Sequence, residues 1–205
     1  MCVEGIEGSG KSTLLLSIAE RLRAHGQRVV TTREPGGTPL GERLRTIFIE
    51  PGFVLSPLAE AFVLCAARAQ HVIERIEPAL AEGAWVLCDR YSAATLAYQG
   101  YGRGLPLPML RTLTAIATGG RAPDLTLLVD VPVTVSRERV RARALMANAD
   151  ADRIEREDAA FHERVRVGYL ELARDDASFL TLDGTLVPEA LVASAWRALE
   201  RLLGS

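Results

Sequence analysis

Apolar residues follow two alternating patterns along the chain, short continuous runs and runs with the spacing of one helix face. The continuous runs predict five strands, at Met1–Glu4, Arg28–Thr32, Trp85–Cys88, Leu125–Val129 and Phe179–Leu182. The helical spacing predicts helices over Ser12–His25, Pro39–Ile49, Pro57–Ile76, Leu107–Thr118, Val133–Leu145, Ala159–Arg174 and Pro188–Leu203. Glycine or proline stands at several of the predicted element ends, as at Gly26 and Gly119.

Strands that alternate with helices predict an α/β fold with a five-stranded parallel sheet. Right-handed crossovers place helices on both faces of such a sheet, which gives three layers. No repeat, low-complexity tract or linker interrupts the pattern, so residues 1–205 are predicted to form a single domain. A small polar stretch, Met146–Asp152, separates two arginine-rich helices, and we interpret it as part of a lid at about residues 144–157.

Composition narrows the class of protein. Hydrophobic residues make up 48% of the chain, charged residues 24%, and the formal net charge is −2. These values are ordinary for a globular protein and exclude a disordered, collagen-like or disulfide-rich chain. We expect no nucleic-acid partner without a basic excess, and no membrane span without an apolar run of roughly 20 residues. No signal-peptide pattern is present; a cytoplasmic location is expected, with reduced, buried thiols at Cys2, Cys65 and Cys88.

The basic residues number 24 and include a single lysine, Lys11, which stands in a glycine-rich segment. Residues 5–12 match G-x-x-x-x-G-K-S, the phosphate-binding loop or P-loop. Its glycines allow backbone N–H groups to turn inward around a phosphate, and the following helix adds free N–H groups and its positive dipole end. Lys11 is expected to bind the β- and γ-phosphates. The predicted ATP-binding residues are Gly5, Ile6, Glu7, Gly8, Ser9, Gly10, Lys11, Ser12 and Thr13.

Two predicted strands lead into an aspartate that could hold a magnesium ion, Asp89 and Asp130. Ligands of such sheets bind beyond the carboxyl ends of the strands. We favour Asp89, because Arg90 follows it and places charge for a phosphate beside charge for a metal; for Asp130 a turn role is equally good. Asp89 and the Ser12 hydroxyl are the predicted metal ligands, with Mg²⁺ as the cofactor and ATP as co-substrate.

Further motifs, in this order along the chain, resemble the thymidylate kinase family in its bacterial form with a lid arginine. They are Arg33-Glu34-Pro35-Gly36-Gly37-Thr38, Asp89-Arg90-Tyr91, Ala97-Tyr98-Gln99-Gly100, Arg121-Ala122-Pro123-Asp124-Leu125-Thr126 and Asp152-Arg153-Ile154-Glu155. The match runs from Gly5 to about Asp183. It implies a P-loop nucleoside monophosphate kinase that transfers the γ-phosphoryl group of ATP to dTMP, giving dTDP and ADP in dTTP biosynthesis, and it implies a homodimer.

The resemblance implies three catalytic residues, Lys11, Arg90 and Arg153. Phosphoryl transfer needs positive charge around the transferring group and little covalent chemistry. The variable loop positions 6–9 carry no basic residue, so the remaining charge is expected from the lid. Arg153 resembles the lid arginine that closes on the phosphate, and its replacement is expected to lower kcat far more than it raises KM for dTMP. For Arg141 and Arg156 we expect a solvated helix face.

The resemblance also implies how the acceptor is bound. The residue that matches Glu7 contacts the deoxyribose 3′-hydroxyl, the one that matches Tyr98 crowds the 2′ position, and the one that matches Arg68 contacts the nucleotide. The Arg68 fork suits the carbonyl edge of a pyrimidine. The full set of implied substrate-binding residues is Glu7, Arg33, Leu64, Arg68, Arg90, Thr95, Tyr98 and Gln99.

The chain departs from the family at Leu64, where the family usually has the phenylalanine on which the base stacks. Phe62 is offset from Leu64 by about 200° around a helix and is a poor substitute. We therefore expect a raised KM for dTMP or tolerance of other bases, and Leu64→Phe is expected to tighten dTMP binding. Two smaller departures are Ala94, where the family usually has serine, and a longer lid. The first strand is also shorter than in the family, so a translation start further upstream is an alternative.

Two other functions remain open from the sequence. Leu64 is compatible with a related kinase for a different acceptor, although Arg33 and Arg90 favour a phosphorylated one. The short first strand and Leu64 are also compatible with a nucleotide-binding relative that has lost most catalysis. An acceptor phosphate needs no strong general base, so His25, His71 and His162 are expected to be solvated or capping residues rather than catalytic ones.

Overall fold

The computed structural model describes residues 1–147 and 151–203. Its strands are β1 Cys2–Glu4, β2 Val29–Arg33, β3 Trp85–Asp89, β4 Thr126–Asp130 and β5 Phe179–Asp183. All are parallel and form one sheet in the order β2-β3-β1-β4-β5. The predicted α/β fold with a five-stranded parallel sheet is confirmed, and each strand lies within two residues of its predicted position.

Helices connect successive strands. Their bounds are α1 Lys11–Ala24, α2 Pro39–Ile49, α3 Pro57–His71, α4 Glu77–Ala81, α5 Ser92–Thr95, α6 Leu107–Thr118, α7 Val133–Ala147, α8 Ala159–Asp175 and α9 Pro188–Leu203. Within the described residues, no helix is long and apolar enough to cross a membrane. Residues 144–147 of the predicted lid belong to α7, and residues 148–150 lie outside the described part of the chain.

Successive side chains of the central strands point to opposite faces of the sheet, because the strands are pleated. Val3 and Leu127 pack with α1 and α9 on one face. On the other face, Leu128 belongs to a cluster with residues of α3, α6 and α8. Since both faces are covered, the central strands are almost wholly apolar and the three predicted layers are present.

Two π-helical segments interrupt the regular helices. The predicted helix Pro57–Ile76 is α-helical only to His71 and continues through the π-helical segment Val72–Ile76 into α4. A second π-helical segment, Leu96–Gly102, follows α5, and the sequence pattern did not predict a helix there. Its wider turn removes the 3.6-residue spacing that identifies a helix, and such segments are frequent at functional sites. Six of its seven residues are buried.

The carboxyl ends of β1 and β3 lie side by side at the centre of the sheet, where Val3 is paired with Asp89. The loop 5–10 leaves β1 there, and the segment beginning at Asp89 leaves β3 there. This junction brings the predicted phosphate loop next to the predicted metal ligand at the carboxyl edge of the sheet.

Candidate active site

The loop after β1 depends on glycine for its path. Gly10 has φ +100° and ends the loop directly before α1. Gly5 has φ +139°, and a Cβ placed on it would lie 2.4 Å from the carbonyl oxygen of Val129. Other residues are strained at such angles, so this loop can exist only with glycine at these positions. The backbone N–H groups at the start of α1 have no partner within the helix, which suits an anion.

Lys11 is buried at the start of α1. Its Nζ donates a hydrogen bond to the carbonyl oxygen of Ile6 at 2.7 Å and lies 3.5 Å from Ser9 Oγ. Burial lowers the pKa of Lys11 to about 8, and the nearby Arg90 contributes to the fall. A slender ammonium fits where only 6% of the side chain is exposed; a guanidinium is larger and planar. The single lysine of the chain therefore occupies a position that disfavours arginine.

Ser12 and Asp89 meet across the junction of β1 and β3. The Ser12 hydroxyl donates to Asp89 Oδ2 at 2.7 Å, and both residues line the same cavity. Magnesium prefers one or two hard protein oxygens and completes its shell with phosphate and water. A hydroxyl and a carboxylate in contact at the edge of the phosphate loop fit that requirement. Asp130 lies elsewhere and forms two hydrogen bonds to Arg166, at 2.7 and 2.9 Å.

Arg90 has φ +70°, a left-handed conformation that is uncommon outside glycine. Its guanidinium donates to Glu7 Oε1 at 2.6 Å and to the carbonyl oxygen of Gly5 at 2.9 Å. Burial alone would raise the pKa of Glu7, but the positive charges of Arg90, Lys11 and Arg143 outweigh it and hold the pKa at about 2. Backbone strain at a site of this kind persists only where surrounding contacts fix it, and here Gly5 and Glu7 of the phosphate loop supply them.

A second set of contacts supports Arg90 from behind. The Tyr169 hydroxyl accepts from Arg90 Nη1 at 3.1 Å and donates to Glu4 Oε2 at 2.8 Å. Glu4 Oε1 in turn accepts the backbone N–H of Tyr91 at 2.7 Å. This chain of contacts connects β1, α8 and the turn after β3, and so fixes the arginine relative to the whole sheet.

A cavity of about 610 Å³ extends from the phosphate loop toward α2 and α3. Its lining includes Arg33, at the end of β2, and Arg45, in α2. Arg33 pairs with Glu42 at 2.9 Å, and Arg45 Nη1 donates to the carbonyl oxygen of Pro35 at 3.2 Å. Arg45 was not predicted as a site residue. A signal was present, because residues 41 and 45 are four apart in the predicted helix 39–49 and so share one helix face, directly after the Arg33 motif.

Arg68 is buried at the end of the cavity. Its Nε donates to Glu34 at 2.7 Å, Nη1 donates to Thr95 at 3.0 Å, and Nη2 donates to the carbonyl oxygen of Tyr91 at 3.0 Å. A guanidinium has five N–H groups, so two remain for a ligand. The carbonyl edge of a base is a suitable acceptor, because the fork is held planar and in place by three elements of the fold.

One cavity thus combines a glycine-rich loop of the phosphate-binding pattern, a hydroxyl and a carboxylate in contact, and a group of arginines. A family model described as thymidylate kinase matches residues 3–195. The chain belongs to the thymidylate kinase family. A thymidylate kinase from Deinococcus radiodurans is 47% identical over 197 residues, covering 96% of this chain and 93% of that protein. One from Syntrophotalea carbinolica is 52% identical over 176 residues, covering 85% and 82%, and one from Carboxydothermus hydrogenoformans is 46% identical over 202 residues, covering 98% and 97%.

At Leu64, where the chain departs from the thymidylate kinase pattern, a phenylalanine from another helix lies in the same part of the cavity. Leu64 is buried and lines the cavity, as predicted, and Phe62 is 53% exposed and lies outside the lining. The lining nevertheless includes a phenylalanine, Phe48 of α2, which shares an apolar cluster with Leu64. The thymidylate kinase cavity of this chain therefore keeps an aromatic wall, although the neighbouring helix provides it.

The residues predicted near the base and near the 2′ position of the sugar lie together. Thr95, Tyr98 and Gln99 all line the cavity, from α5 and the π-helical segment after it. The Tyr98 hydroxyl accepts from Arg90 Nη2 at 3.2 Å. Gln99 Nε2 donates to Glu60 at 2.9 Å. These three side chains therefore form one part of the cavity wall, in contact with Arg90.

Arg153 is the one predicted catalytic residue that the structure does not bring to the phosphate loop. It lies outside the cavity lining. Its guanidinium binds Glu60 Oε1 at 2.5 Å and the carbonyl oxygen of Phe48 at 2.9 Å, and it lies 5.0 Å from the centroid of the Phe48 ring. Arg143 of α7 lines the cavity instead and pairs with Glu155 at 2.5 Å. Arg153 thus connects the end of the predicted lid to α2 and α3.

The three histidines have different environments. His25 is exposed, and its Nδ1 lies 2.8 Å from the carbonyl oxygen of Arg21 at the end of α1, as expected of a capping residue. The same expectation is wrong for His71, which is fully buried between Glu34 at 2.9 Å and Thr32 at 2.6 Å. It is also wrong for His162, which is 5% exposed. Helical periodicity alone did not distinguish these buried positions.

The three cysteines are buried and free, as predicted.

Proposed function

We propose that this chain transfers the γ-phosphoryl group of ATP to dTMP, giving dTDP and ADP for dTTP biosynthesis. Membership of the thymidylate kinase family supports the reaction. The observation that carries the proposal is a single cavity whose lining joins Lys11, Ser12 and Asp89 to the acceptor-side residues Arg33 and Arg68. Donor and acceptor nucleotides can then bind with their phosphates facing each other, which is the main requirement of phosphoryl transfer.

The acceptor phosphate is the nucleophile, so the chain has to position charges rather than supply a base. Lys11 and the start of α1 bind the β- and γ-phosphates of ATP. Arg90 is already held by Glu7 and Gly5, so it meets the reacting phosphates without further ordering of its side chain. Arg33 and Arg45 bind the acceptor phosphate from the opposite side. A preorganised set of this kind costs little reorganisation when charge develops in the transition state.

Ser12 and Asp89 hold Mg²⁺ in this proposal. The ion, when bound, neutralises negative charge that develops on the β- and γ-phosphates. Asp89 lies at the end of a central strand, and its Oδ2 already contacts the Ser12 hydroxyl, so both ligands are in position.

We give the lid-side charge to Arg143 rather than to Arg153. Arg143 lies on the cavity side of α7, where its charge contributes to lowering the pKa of Glu7. Its side chain is 60% exposed and has one carboxylate partner, Glu155. A side chain that remains mostly in solvent can turn toward a bound phosphate at low cost, and Arg153, with its guanidinium buried against Glu60, cannot.

An ADP-release assay with Mg-ATP tests the activity against dTMP, dUMP, UMP, AMP, CMP, GMP and thymidine. We expect a strong preference for dTMP and no turnover of thymidine, which lacks the phosphate that the arginines bind. Preference for another monophosphate would replace the proposed acceptor and would show that Leu64 has reshaped the pocket. Absence of turnover with every acceptor would favour a nucleotide-binding relative without catalysis.

We further propose a homodimer in the cytoplasm. The supporting feature is the outer face of α3, where Leu58 and Phe62, one turn apart, are 40% and 53% exposed. Exposed apolar pairs of this kind are candidates for burial between subunits. Light scattering on the purified protein should give twice the chain mass of 22.2 kDa, and Phe62→Lys should give the monomer mass; a monomeric wild type would refute the proposal.

A further inference from the structure

Glu60 is a buried carboxylate in contact with Gln99, a residue of the cavity lining. It lies in the first turn of α3 and is 0% exposed. Its Oε2 accepts from Gln99 Nε2 at 2.9 Å and from Arg103 Nε at 3.2 Å. Its Oε1 lies 3.0 Å from Arg103 Nη2 and 2.5 Å from Arg153 Nη1. Two guanidinium groups therefore offset a charge that would be costly to bury alone.

The hydrogen bond between Glu60 and Gln99 determines which way the side-chain amide of Gln99 points. An ionised carboxylate can only accept hydrogen bonds, so it binds the NH₂ side of the amide and leaves the oxygen on the other side. Gln99 is 0% exposed and lines the cavity, and its Oε1 receives no hydrogen bond from the described residues. Buried carbonyl oxygens nearly always have a donor. This one is therefore available to an N–H group of a bound molecule.

We propose that Glu60 is a positioning residue that sets acceptor-base specificity by holding the Gln99 amide with its oxygen available to the base. The inference rests on the proposed function and names the chemical feature that the site selects. Thymine and uracil carry an N–H donor at N3, whereas cytosine has an acceptor there. The fixed amide oxygen pairs with the first and repels the second. Without Glu60 the amide can turn over and present its NH₂ group, which cytosine accepts.

The same carboxylate holds part of the cavity wall. Through Arg153 it fixes the end of the predicted lid against Phe48, whose carbonyl oxygen and ring both contact the arginine. Removal of the charge at Glu60 therefore has a second, less specific effect on packing near the base. The test must separate the orientation of one amide from this general loosening.

Glu60→Gln is the first variant. Its amide has nearly the shape of the carboxylate but can also donate, so it no longer fixes the orientation of Gln99. The ratio of kcat/KM for dTMP to that for dCMP should fall about tenfold, the upper range for one net hydrogen bond, and KM for ATP should not change. In a Gln99→Met background, where no amide is left to orient, Glu60→Gln should leave the ratio unchanged.

Glu171→Gln is the matched control. Glu171 accepts a hydrogen bond from the Tyr101 hydroxyl at 2.9 Å, so it holds the same π-helical segment through a residue outside the cavity lining. The control should keep the wild-type ratio. If Glu60→Gln does not fold, Glu60→Asp replaces it: the aspartate keeps a negative charge near both arginines, but its shorter side chain cannot hold the carboxylate 2.9 Å from Gln99 Nε2, and the ratio should again fall.

An unchanged ratio in the folded Glu60 variant would refute the inference, as would an equal fall in the presence and absence of the Gln99 amide. An equal fall in the Glu171 control would also refute it, because general loosening would then explain the effect. Lack of dTMP turnover by the wild-type protein would refute the proposed function and the inference together, whereas normal dTMP turnover with unchanged selectivity would refute the inference alone.

Discussion

The cavity has two ends that are constructed differently: a donor end at the phosphate loop around Lys11, and an acceptor end around Arg68 and Gln99. At the donor end the main chain forms the binding surface, and Gly5 has no room for a Cβ beside Val129. At the acceptor end, buried side chains form the surface and hold one another, as Arg68 does with Glu34. The main-chain surface tolerates almost no substitution. The side-chain surface can change one residue at a time, and Phe48 and Leu64 share one stretch of it.

The difference shows where specificity can change within one fold. A loop that recognises phosphate by N–H groups serves any nucleoside triphosphate. The wall of side chains distinguishes bases, because each polar atom left without a partner costs free energy. We therefore expect substitutions at the donor end to abolish activity and those at the acceptor end to redistribute it among substrates.

The largest effect is expected at Lys11. Lys11→Ala removes the cation that binds the transferring phosphate and should lower kcat by about 10³-fold or more. Lys11→Arg keeps the positive charge, but the larger guanidinium does not fit the space of the ammonium group. Nζ of Lys11 is buried and lies 2.7 Å from the Ile6 carbonyl oxygen. We expect the arginine variant to lose about a hundredfold in kcat. ADP release under saturating dTMP measures both, and wild-type turnover of the alanine variant would refute the assignment of the loop.

A smaller effect should separate the two lid-side arginines. Arg143→Ala should lower kcat by about a hundredfold with little change in KM for dTMP, because it removes charge that acts in the transition state. Arg153→Ala should instead raise KM for dTMP and lower the melting temperature, because it leaves Glu60 with one guanidinium partner fewer.

Steady-state kinetics and thermal unfolding on both variants distinguish these outcomes. If Arg153→Ala lowers kcat strongly and leaves KM and stability intact, the role predicted for it from the sequence is correct and Arg143 is the wrong choice.

The smallest effect is expected at the aromatic wall. Leu64→Phe adds volume to a cluster that already contains Phe48, so overpacking should lower the stability by about 1–3 kcal/mol. The tighter dTMP binding predicted from the sequence should appear separately, as a lower KM for dTMP. The double variant Phe48→Leu, Leu64→Phe keeps the total volume and should recover most of the stability, with KM for dTMP within a few-fold of wild type. Equal stability of the single and double variants would show that the two positions do not share one space.

The sequence predicted almost completely which residues meet around the glycine-rich loop. A loop whose path requires glycine leaves those glycines in fixed positions, and Lys11, Ser12 and Asp89 follow from their places next to strand ends. The strands were equally clear, because burial on both faces produces continuous apolar runs. The phosphate loop and the sheet were therefore predictable from local pattern alone.

The acceptor end was less predictable, because it depends on side chains that are distant in the chain. The contact between Glu60 and Arg153 spans 93 residues, and nothing in either segment indicates the other. The π-helical segment that carries Gln99 lacks helical periodicity. Arg153 was assigned to the lid because residues 152–155 resemble the lid motif of the family, and that motif does not reveal its contacts with Glu60 and Phe48.

The support behind Arg90 has a consequence for how the protein is made on the ribosome. β1 and the phosphate loop emerge first, but β1 pairs only with β3 and β4, where Cys2 meets Cys88 and Thr126. Glu4 then contacts Tyr169, 165 residues later. A nascent chain that ends before α8 therefore carries the whole nucleotide-binding motif without the framework that holds it. Competence to bind nucleotide should arise late and abruptly during translation, when the last helices are released and the first strand acquires its partners.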